Sequence, residues 1–540
     1  MLLFFTIKNA YLRNSTTIMF MLRNILFALV LLPTLLLSQP TPGLVQLGFL
    51  QYNPVTLAGV WHHVDDFGNE YALVGTSQGL SIVDVNNPAS PQQIFTVPSL
   101  PNNWRELRTW EGYLYMVSEA DSSAVTIVDL NSLPDTIYSK VWRGDFPNEG
   151  KLRRAHAVQC FEGYLYLFGG NNLGDGATIC DLTDPWNPVI TGSYNLEYLH
   201  DGFVRNDTLW GSEIYEGRFS VVDISDKNNP VLLATNPTPG NFNHNSELNP
   251  AGNVLFTTDE VPFAPLASFD VSDLENIRML DTYRCSLEPD GEVHNVRVFG
   301  NFLLCPSYRG QLSIVDATQP DNLIETAIVD TGNALIWDAD PYLPSGIVLA
   351  TDKNAGLYIF QPTYIQAAYL RGTVTDAVTG LPINKAGINI VSLPLTDSSG
   401  VDGTFKTGTA QAGAYNVLVT KMGYFPKQMD AVQLVTGQTT TLNVELTPEM
   451  VSQYEPGSME AKFDVLPTVF NEKITLRLPA NSAWEKVILR DAQGKTVFEQ
   501  NVQSLETTLY LPANLNTGVY FIGLQNGNVQ SIAKQVVKIK

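Results

Sequence analysis

The sequence predicts an all-β protein: a seven-bladed β-propeller followed by two small β-sandwich domains. Three observations carry this prediction. A strand motif ending in aspartate recurs, its copies lie roughly 42 to 52 residues apart, and two C-terminal segments of different character follow. We expect the propeller at 44–362, the first sandwich at 366–448, a linker at 449–460 and the last domain at 461–540.

The repeated motif is the third strand of each predicted blade. Its copies read GLSIVDV, AVTIVDL, GATICDL, RFSVVDI, PLASFDV, QLSIVDA and GLYIFQP. The second-to-last residue of the first six copies is an aspartate, and Gln361 takes this place in the seventh. The aspartates are Asp84, Asp129, Asp181, Asp223, Asp270 and Asp316. Several short strands within such a period are typical of propeller blades.

Closure of the ring is predicted from a strand count. Seven third strands are present, but only six are followed by an outer fourth strand, because the chain leaves for another domain after GLYIF. Residues 44–52 are therefore expected to supply the missing outer strand and to close the last blade. Closure of this kind removes a free sheet edge and ties the ends of the domain together.

The repeat also carries a family resemblance. The IVDV and IVDL strands resemble the LVIVD repeat, and residues 44–362 resemble the choice-of-anchor B proteins. This resemblance implies a secreted or surface-held propeller and no particular chemistry.

The first C-terminal segment resembles a carboxypeptidase regulatory-like (transthyretin-like) domain. The similarity lies in LRGTVTDAVTGLPINKAGINI, with Gly372, Val374 and Asp376, and in the later GAYNVLVTKMGYFPK. Alternating apolar residues between Gly and Asp turns are typical of a small β-sandwich. The resemblance implies a non-catalytic accessory domain and brings no peptidase site.

The last segment resembles a type IX secretion system C-terminal sorting domain. The similarity lies in the Gly494-Lys495 turn, in LNTGVY and in the basic stretch from Lys534 to Lys540. Pro467-Thr468-Val469 departs from the Pro-Asn-Pro often found in the family. The resemblance implies interaction with the secretion machinery, and a location outside the cell or on the outer-membrane surface of a Gram-negative bacterium that uses this route.

The N-terminus predicts export independently. Residues 1–38 are expected to be a signal peptide whose first 20 residues are an upstream extension, because Arg23 is followed by an apolar run from Ile25 to Leu37. That run is too short to span a bilayer, and no transmembrane segment is predicted in the mature chain. The net charge of −22 argues against a nucleic-acid partner, since an acidic chain repels phosphates.

The six histidines recur at one position, the start of the innermost strand of a blade. The residues predicted to ring one mouth of the channel are His62, His63, Arg105, His156, His200, Asp201, His244, Glu247, His294 and Asp338. This recurrence has two interpretations. Each imidazole could bond a neighbouring strand or the recurrent aspartate of its blade, as a structural device.

The second interpretation is a ligand site on the channel axis. His156, His200, His244 and His294 are then candidate ligands of a divalent metal, because imidazole is the usual neutral ligand of transition metals. Asp201 or Glu247 would add oxygen ligands. A small anionic or sugar ligand, held with the help of Arg105, is an alternative.

The sequence favours a non-enzymatic binding or adhesion protein with an extracellular protein or glycan as ligand. The alternative is a secreted metal-dependent hydrolase or lyase that uses the histidine-ringed mouth. No GxSxG, HExxH, P-loop or dinucleotide-binding motif is present. The four cysteines fit no metal-binding spacing and are expected to be free thiols.

Overall fold

The computed structural model describes residues 43–449 and 463–539, apart from 145–149, 172–174, 333–334, 392, 394–395, 481, 503, 528 and 532. These residues form 45 β-strands and no α-helix, which confirms the all-β prediction. Within the same residues there is no helix of the length and apolarity needed to cross a membrane. The predicted signal peptide and nearly all of the predicted linker lie outside the described residues.

Residues 44–362 contain seven four-stranded antiparallel sheets, which we call blades one to seven. The first strand, β1 (Leu44–Gln51), belongs to blade seven. Blades one to three comprise β2 (Leu57–Val64), β3 (Glu70–Thr76), β4 (Gly79–Asp84), β5 (Gln92–Pro98); β6 (Arg105–Trp110), β7 (Tyr113–Ser118), β8 (Val125–Asp129), β9 (Tyr138–Trp142); and β10 (Ala157–Phe161), β11 (Tyr164–Phe168), β12 (Ala177–Asp181), β13 (Val189–Tyr194).

Blades four to seven follow in chain order. They comprise β14 (Asp201–Arg205), β15 (Thr208–Glu213), β16 (Arg218–Asp223), β17 (Val231–Pro237); β18 (Asn243–Leu248), β19 (Val254–Asp259), β20 (Leu266–Asp270), β21 (Arg278–Tyr283); β22 (Arg297–Phe299), β23 (Phe302–Ser307), β24 (Gln311–Asp316), β25 (Ile324–Asp330); and β26 (Ile336–Asp340), β27 (Val348–Asp352), β28 (Gly356–Pro362) with β1. The first strand of blade six is shorter than the sequence predicts. Val293 makes only an isolated bridge to Ser307.

The blades form a closed ring. In blades one to five the first strand contacts the first strand of the next blade. In blade six the second strand, β23, contacts β26 of blade seven, and β26 contacts β2 of blade one. Strand β1 pairs antiparallel with β28, with Leu44 opposite Pro362 and Gln51 opposite Gly356. The N-terminal strand is thus the outer strand of the last blade, as predicted from the strand count.

The core lies between the blades. The middle strands are buried on both faces, as in β3, whose seven residues are all buried, whereas outer strands such as β5 are mostly exposed or half-buried. Leu73 and Ile82 of blade one belong to the same apolar cluster as Leu107 and Leu114 of blade two. A strand covered on both faces needs apolar residues on both sides. The motif GLSIVD is therefore a nearly continuous apolar run and does not alternate between apolar and polar residues.

The recurrent aspartates form turns and do not contact the histidines. In blades one to six this carboxylate accepts a hydrogen bond from the backbone N–H two residues later, at 2.6 to 3.1 Å. In blade three, the carbonyl of Phe168 accepts a hydrogen bond from the His156 N–H, and Phe168 pairs with Ala177. Asp181 lies four residues further along β12, about 13 Å away at the usual strand rise. The hypothesis that each aspartate partners the histidine of its blade is therefore wrong.

The first sandwich contains two sheets and belongs to the same compact unit as the propeller. Its strands are β29 (Ala368–Asp376), β30 (Gly387–Ile390), β31 (Thr396–Ser398), β32 (Thr404–Thr409), β33 (Gly413–Thr420), β34 (Lys427–Leu434), β35 (Thr439–Thr441) and β36 (Val444–Leu446). It is joined to blade six by two hydrogen bonds of 2.7 Å from the Arg371 guanidinium to the Asp321 carboxylate. Tyr369 and Ala367 form an apolar cluster with Ile324 of blade six.

The second compact unit comprises residues 447–540 with 422–425. Its described residues form a three-stranded and a six-stranded sheet. The strands are β37 (Asp464–Leu466), β38 (Val469–Phe470), β39 (Lys473–Arg477), β40 (Lys486–Asp491), β41 (Thr496–Asn501), β42 (Glu506–Tyr510), β43 (Gly518–Asn526), β44 (Val529–Gln530) and β45 (Lys534–Lys538). Ile474, Leu489 and Ile522 are fully buried in the cluster that joins the two sheets.

A histidine-lined pocket in the propeller channel

A small pocket, with about 20 Å³ of space for water-sized groups, lies where the first strands of the blades begin. We call it the histidine pocket. Its lining is Trp104, Glu106, His156, Ala157, His200, Asp201, His244, Glu260, His294, Asn295 and Trp337. Four of the six histidines, His156, His200, His244 and His294, are therefore brought together.

The four imidazoles of the pocket form a continuous arc. The ring centroids of His156 and His200 are 3.9 Å apart, those of His200 and His244 are 4.5 Å apart, and those of His244 and His294 are 4.3 Å apart. The arc ends at Trp337, whose ring centroid is 4.6 Å from that of His294. Each residue comes from a successive blade, so the arc follows directly from the repeat.

Backbone carbonyls fix the tautomer of two of these imidazoles. The Nδ1 of His200 lies 3.3 Å from the carbonyl oxygen of His244, and the Nδ1 of His294 lies 2.6 Å from that of Trp337. A carbonyl oxygen only accepts hydrogen bonds, so Nδ1 carries the proton and donates it. The lone pair is left on Nε2, which is the arrangement found in metal-binding and acceptor histidines.

Burial keeps three imidazoles of the arc, those of His200, His244 and His294, neutral. It lowers the pKa of His200 well below the ordinary range, with the nearby His156 and His244 acting in the same direction. Burial likewise lowers the pKa of His244 to about 3 and that of His294 to about 4. At neutral pH these three side chains therefore present uncharged nitrogen lone pairs to the pocket.

Glu260 completes the pocket, and sequence reasoning missed it. Its Oε2 lies 3.7 Å from the Nε2 of His244, and its Oε1 lies 3.7 Å from the Nε2 of His294. The Tyr308 hydroxyl donates a 2.7 Å hydrogen bond to Oε1 and so orients the carboxylate. Glu260 follows β19 in the turn before β20. The turn between the second and third strands of a blade lies at the same mouth of the channel as the start of the first strand. This topology could have pointed to Glu260 from the sequence.

Glu106 faces the pocket, whereas the predicted Arg105 does not line it. Arg105 is buried and donates hydrogen bonds to the carbonyls of Thr76, at 2.5 Å, and of Leu100. Successive residues of a strand point to opposite sides, so choosing Arg105 from the motif WREL selected the wrong face. Burial, and then the charge of Asp338, raise the pKa of Glu106 to about 7.

The two histidines of blade one do not line the pocket either. His62 Nδ1 lies 2.7 Å from the carboxylate of Asp340 in blade seven. His63 stacks on Tyr71 with ring centroids 6.1 Å apart, and burial lowers its pKa. The blade-one repeat places both imidazoles further along β2 than the equivalent residues of blades three to six.

A second small pocket, with about 30 Å³ of space for water-sized groups, lies deeper in the channel and is lined by Glu247 and Arg297. Glu247 accepts a 2.9 Å hydrogen bond from the Tyr342 hydroxyl there. Asp338 is fully buried and pairs with Arg297 through contacts of 2.9 and 3.0 Å. Glu247 and Asp338 therefore lie below the histidines, and Asp201 lines both pockets.

His156 differs from the other three imidazoles of the arc. Its Nδ1 forms a 2.7 Å contact with the Glu119 carboxylate, and this hydrogen bond lowers the pKa of Glu119. His200, His244 and Glu260 each offer one ligand atom within 4.8 Å of the other two, and His156 is outside that group. Of the predicted metal ligands, the structure therefore groups His200 and His244 around Glu260.

The fold and the pocket define a β-propeller protein with a polar, histidine-lined site in its channel. Family models identify its parts. The LVIVD repeat matches residues 68–98, 215–238 and 290–331, the carboxypeptidase regulatory-like domain matches 369–447, and the secretion system C-terminal sorting domain matches 465–538. Comparison with the curated proteins gives no match. The chain thus combines LVIVD repeats with an accessory sandwich and a sorting domain.

The sorting domain establishes where the protein acts. A type IX secretion C-terminal sorting domain directs export to the cell surface or the extracellular space. The predicted interaction with the secretion machinery follows from the same domain. The wider assignment to the choice-of-anchor B proteins stays a prediction.

Proposed function

We propose that the protein is a non-enzymatic binding protein of the cell surface that holds an extracellular glycan at the histidine pocket. The observation that carries this proposal is the pocket itself. Imidazoles, carboxylates and an amide converge around a small concave opening at one mouth of the channel. A concave site with a few convergent polar groups is the usual form of a small-ligand site.

The tryptophan at the lip of the pocket favours a sugar over a peptide group. Trp104 lines the pocket and is 41% exposed, although an indole of this size is usually largely buried. An exposed aromatic face beside carboxylate and amide groups can stack on the apolar face of a pyranose while its hydroxyls are hydrogen-bonded. Asp201 and Asn295 supply such groups here.

Binding of the secreted protein to a panel of immobilised bacterial and host glycans tests the proposal. Retention by at least one glycan, weakened at least tenfold by Trp104→Ala, is the expected result. The control is Tyr138→Ala, because Tyr138 is 61% exposed on the outer strand β9, away from the channel. No retained glycan, or equal weakening by both variants, would contradict the proposal.

A second candidate function is a secreted metal-dependent hydrolase or lyase. One observation favours it: Glu106 lines the histidine pocket, and its pKa is raised to about 7. A carboxylate with such a pKa is suited to general acid–base catalysis near neutral pH. Glu106→Gln separates the two functions. An enzyme would lose turnover of a retained glycan, whereas a binding protein releases the glycan unchanged with or without the substitution.

A further inference from the structure

We propose that the histidine pocket holds a divalent transition-metal ion of the zinc type through His200, His244 and Glu260. This inference deepens the proposed function, because it concerns the same pocket and supplies the group that a bound ligand would contact. It names an oxygen ligand that the histidine pattern alone does not reveal.

The distances between the ligand atoms of His200, His244 and Glu260 are slightly longer than those between two ligands of one bound metal ion. His244 Nε2 and Glu260 Oε2 are 3.7 Å apart, which is too long for a hydrogen bond. With metal–ligand bonds of about 2.0 to 2.2 Å, two ligands of a tetrahedral ion lie about 3.4 Å apart. Each of the three residues offers one ligand atom, and these atoms lie within 4.8 Å of one another, somewhat further apart than in a closed tetrahedral site.

Hydrogen bonds orient two of the three ligands, His200 and Glu260, for coordination. The Nδ1 of His200 donates to the carbonyl of His244, which leaves the Nε2 lone pair for the ion. Tyr308 donates to the Oε1 of Glu260 and leaves Oε2 facing His244. A hydrogen-bonded imidazole and a hydrogen-bonded carboxylate are the usual supports around a metal centre.

A second, independent observation points to a ligand at this place. The Nε2 of His294 is buried without a hydrogen-bond partner, and His294 is 1% exposed. This nitrogen lies 3.7 Å from the Oε1 of Glu260, in the lining of the same pocket. Buried polar atoms in native proteins are nearly always paired, so a bound ion, or a group on it, would satisfy this one.

The donor set selects the class of ion. Two imidazoles and one carboxylate suit zinc and its first-row neighbours, whereas calcium and magnesium take sets made mainly of oxygen. Lys353, whose Nζ lies 4.2 Å from the ring centroid of Trp337, opposes a cation at this mouth. The carboxyl groups of Glu106 and Asp201 in the pocket lining favour the binding of a cation. Three protein ligands leave a fourth position open to the pocket, where a sugar hydroxyl or carboxylate can bind.

Metal content of the full secreted chain, produced without a polyhistidine tag, tests the inference. After removal of metal with a chelator, the protein is titrated with Zn²⁺ alone, and bound zinc is measured by mass spectrometry after dialysis. We expect one zinc per chain. Glu260→Gln should weaken binding at least tenfold, and His244→Gln at least a hundredfold.

The matched control is His62→Gln, because His62 bonds Asp340 and does not line the pocket. This variant should retain one zinc per chain, and circular dichroism would establish that all variants are folded. Co²⁺ should give the intense visible absorption of a tetrahedral centre in the wild type and lose it in His244→Gln. Zinc below a tenth of an equivalent, or equal zinc in the wild type and His244→Gln, would overturn the inference.

The metal inference and the proposed binding function fail in different ways. Glycan retention that depends on Trp104 but not on zinc would overturn the metal inference and leave the binding function standing. Stoichiometric zinc, lost in His244→Gln, without any retained glycan would support the metal centre and contradict the glycan-binding role.

Discussion

Glu247 in the deeper channel pocket should make the stability of the propeller depend on pH, and Glu247→Gln should remove that dependence. Burial raises the pKa of Glu247 to about 7, against the lowering effects of Arg297, Tyr342 and Arg108. The side chain is buried, with 9% of the residue exposed, and accepts a hydrogen bond from Tyr342. Glutamine has the shape of the protonated acid and keeps a carbonyl acceptor for that bond.

The sign follows from the raised pKa of the native state. Between pH 4.5 and about 7 the native protein holds a proton that the unfolded chain has lost. The contribution to stability is therefore fully present below pH 4.5 and is lost as pH rises through 7. A shift of 2.5 units, from 4.5 to about 7, corresponds to about 3 kcal/mol at 1.36 kcal/mol per unit. Glu247→Gln should match the wild type at pH 4 and exceed it by up to about 3 kcal/mol at pH 8.

Urea unfolding monitored by tryptophan fluorescence measures this difference. Seven of the eight tryptophans lie within residues 44–362, so the signal reports mainly on the propeller. The control is Glu216→Gln on an exposed turn of blade four, for which the gap from the wild type should be the same at both pH values. The reasoning would be refuted if the difference in free energy of unfolding between Glu247→Gln and the wild type were the same at pH 4 and pH 8. A wild type that becomes more stable than the variant at pH 8 would refute it as well.

Three further predictions concern packing and reactivity. Asp338→Asn should lower the free energy of unfolding by about 3 to 5 kcal/mol, because it leaves the buried Arg297 charge without its partner; a loss below about 1 kcal/mol in urea unfolding would contradict the pairing. Phe360→Ala should lower it by about 3 to 5 kcal/mol, since Phe360 of β28 is fully buried in the apolar cluster that contains Leu44 of β1; an unchanged unfolding midpoint would show that this joint does not carry stability. The four free cysteines are buried or half-buried, and burial raises the pKa of each thiol, so a thiol reagent should modify them in urea but not in the native protein; rapid modification at neutral pH without urea would count against this burial.

The strand repeat could be predicted from sequence because its cause is local. A strand covered by neighbours on both faces must be apolar on both sides, and an aspartate after it stabilises the turn by accepting a backbone N–H. These two requirements repeat in every blade, so motifs such as GLSIVD and QLSIVD can be aligned within one chain. The pairing of β1 with β28 was predicted by counting strands.

The candidate site could be predicted only in part, because its geometry depends on side-chain direction. The arc of imidazoles follows from the repeat, but the choice between Arg105 and Glu106 depends on which face of β6 turns to the channel. Glu260 has no counterpart in the histidine pattern, since it comes from a turn and not from a first strand. Of the two structural roles considered for the histidines, bonding the recurrent aspartates is wrong, because the two residue types lie at opposite ends of antiparallel strands. His200 and His294 instead bond backbone carbonyls of the neighbouring blade.

The joint between β1 and β28 also determines when the propeller can finish folding. Leu44 and Pro362 are opposite each other across a strand pair but lie more than 300 residues apart along the chain. The last blade therefore stays incomplete, with an unpaired edge on β28, until both ends of the ring have been delivered to the same side of the membrane. Contacts of such long sequence separation form slowly, so closure of the ring is expected to come late in folding. Once formed, the β1–β28 pairing holds the ring closed. A force applied at the N-terminus must separate β1 from β28 before any other blade can unfold.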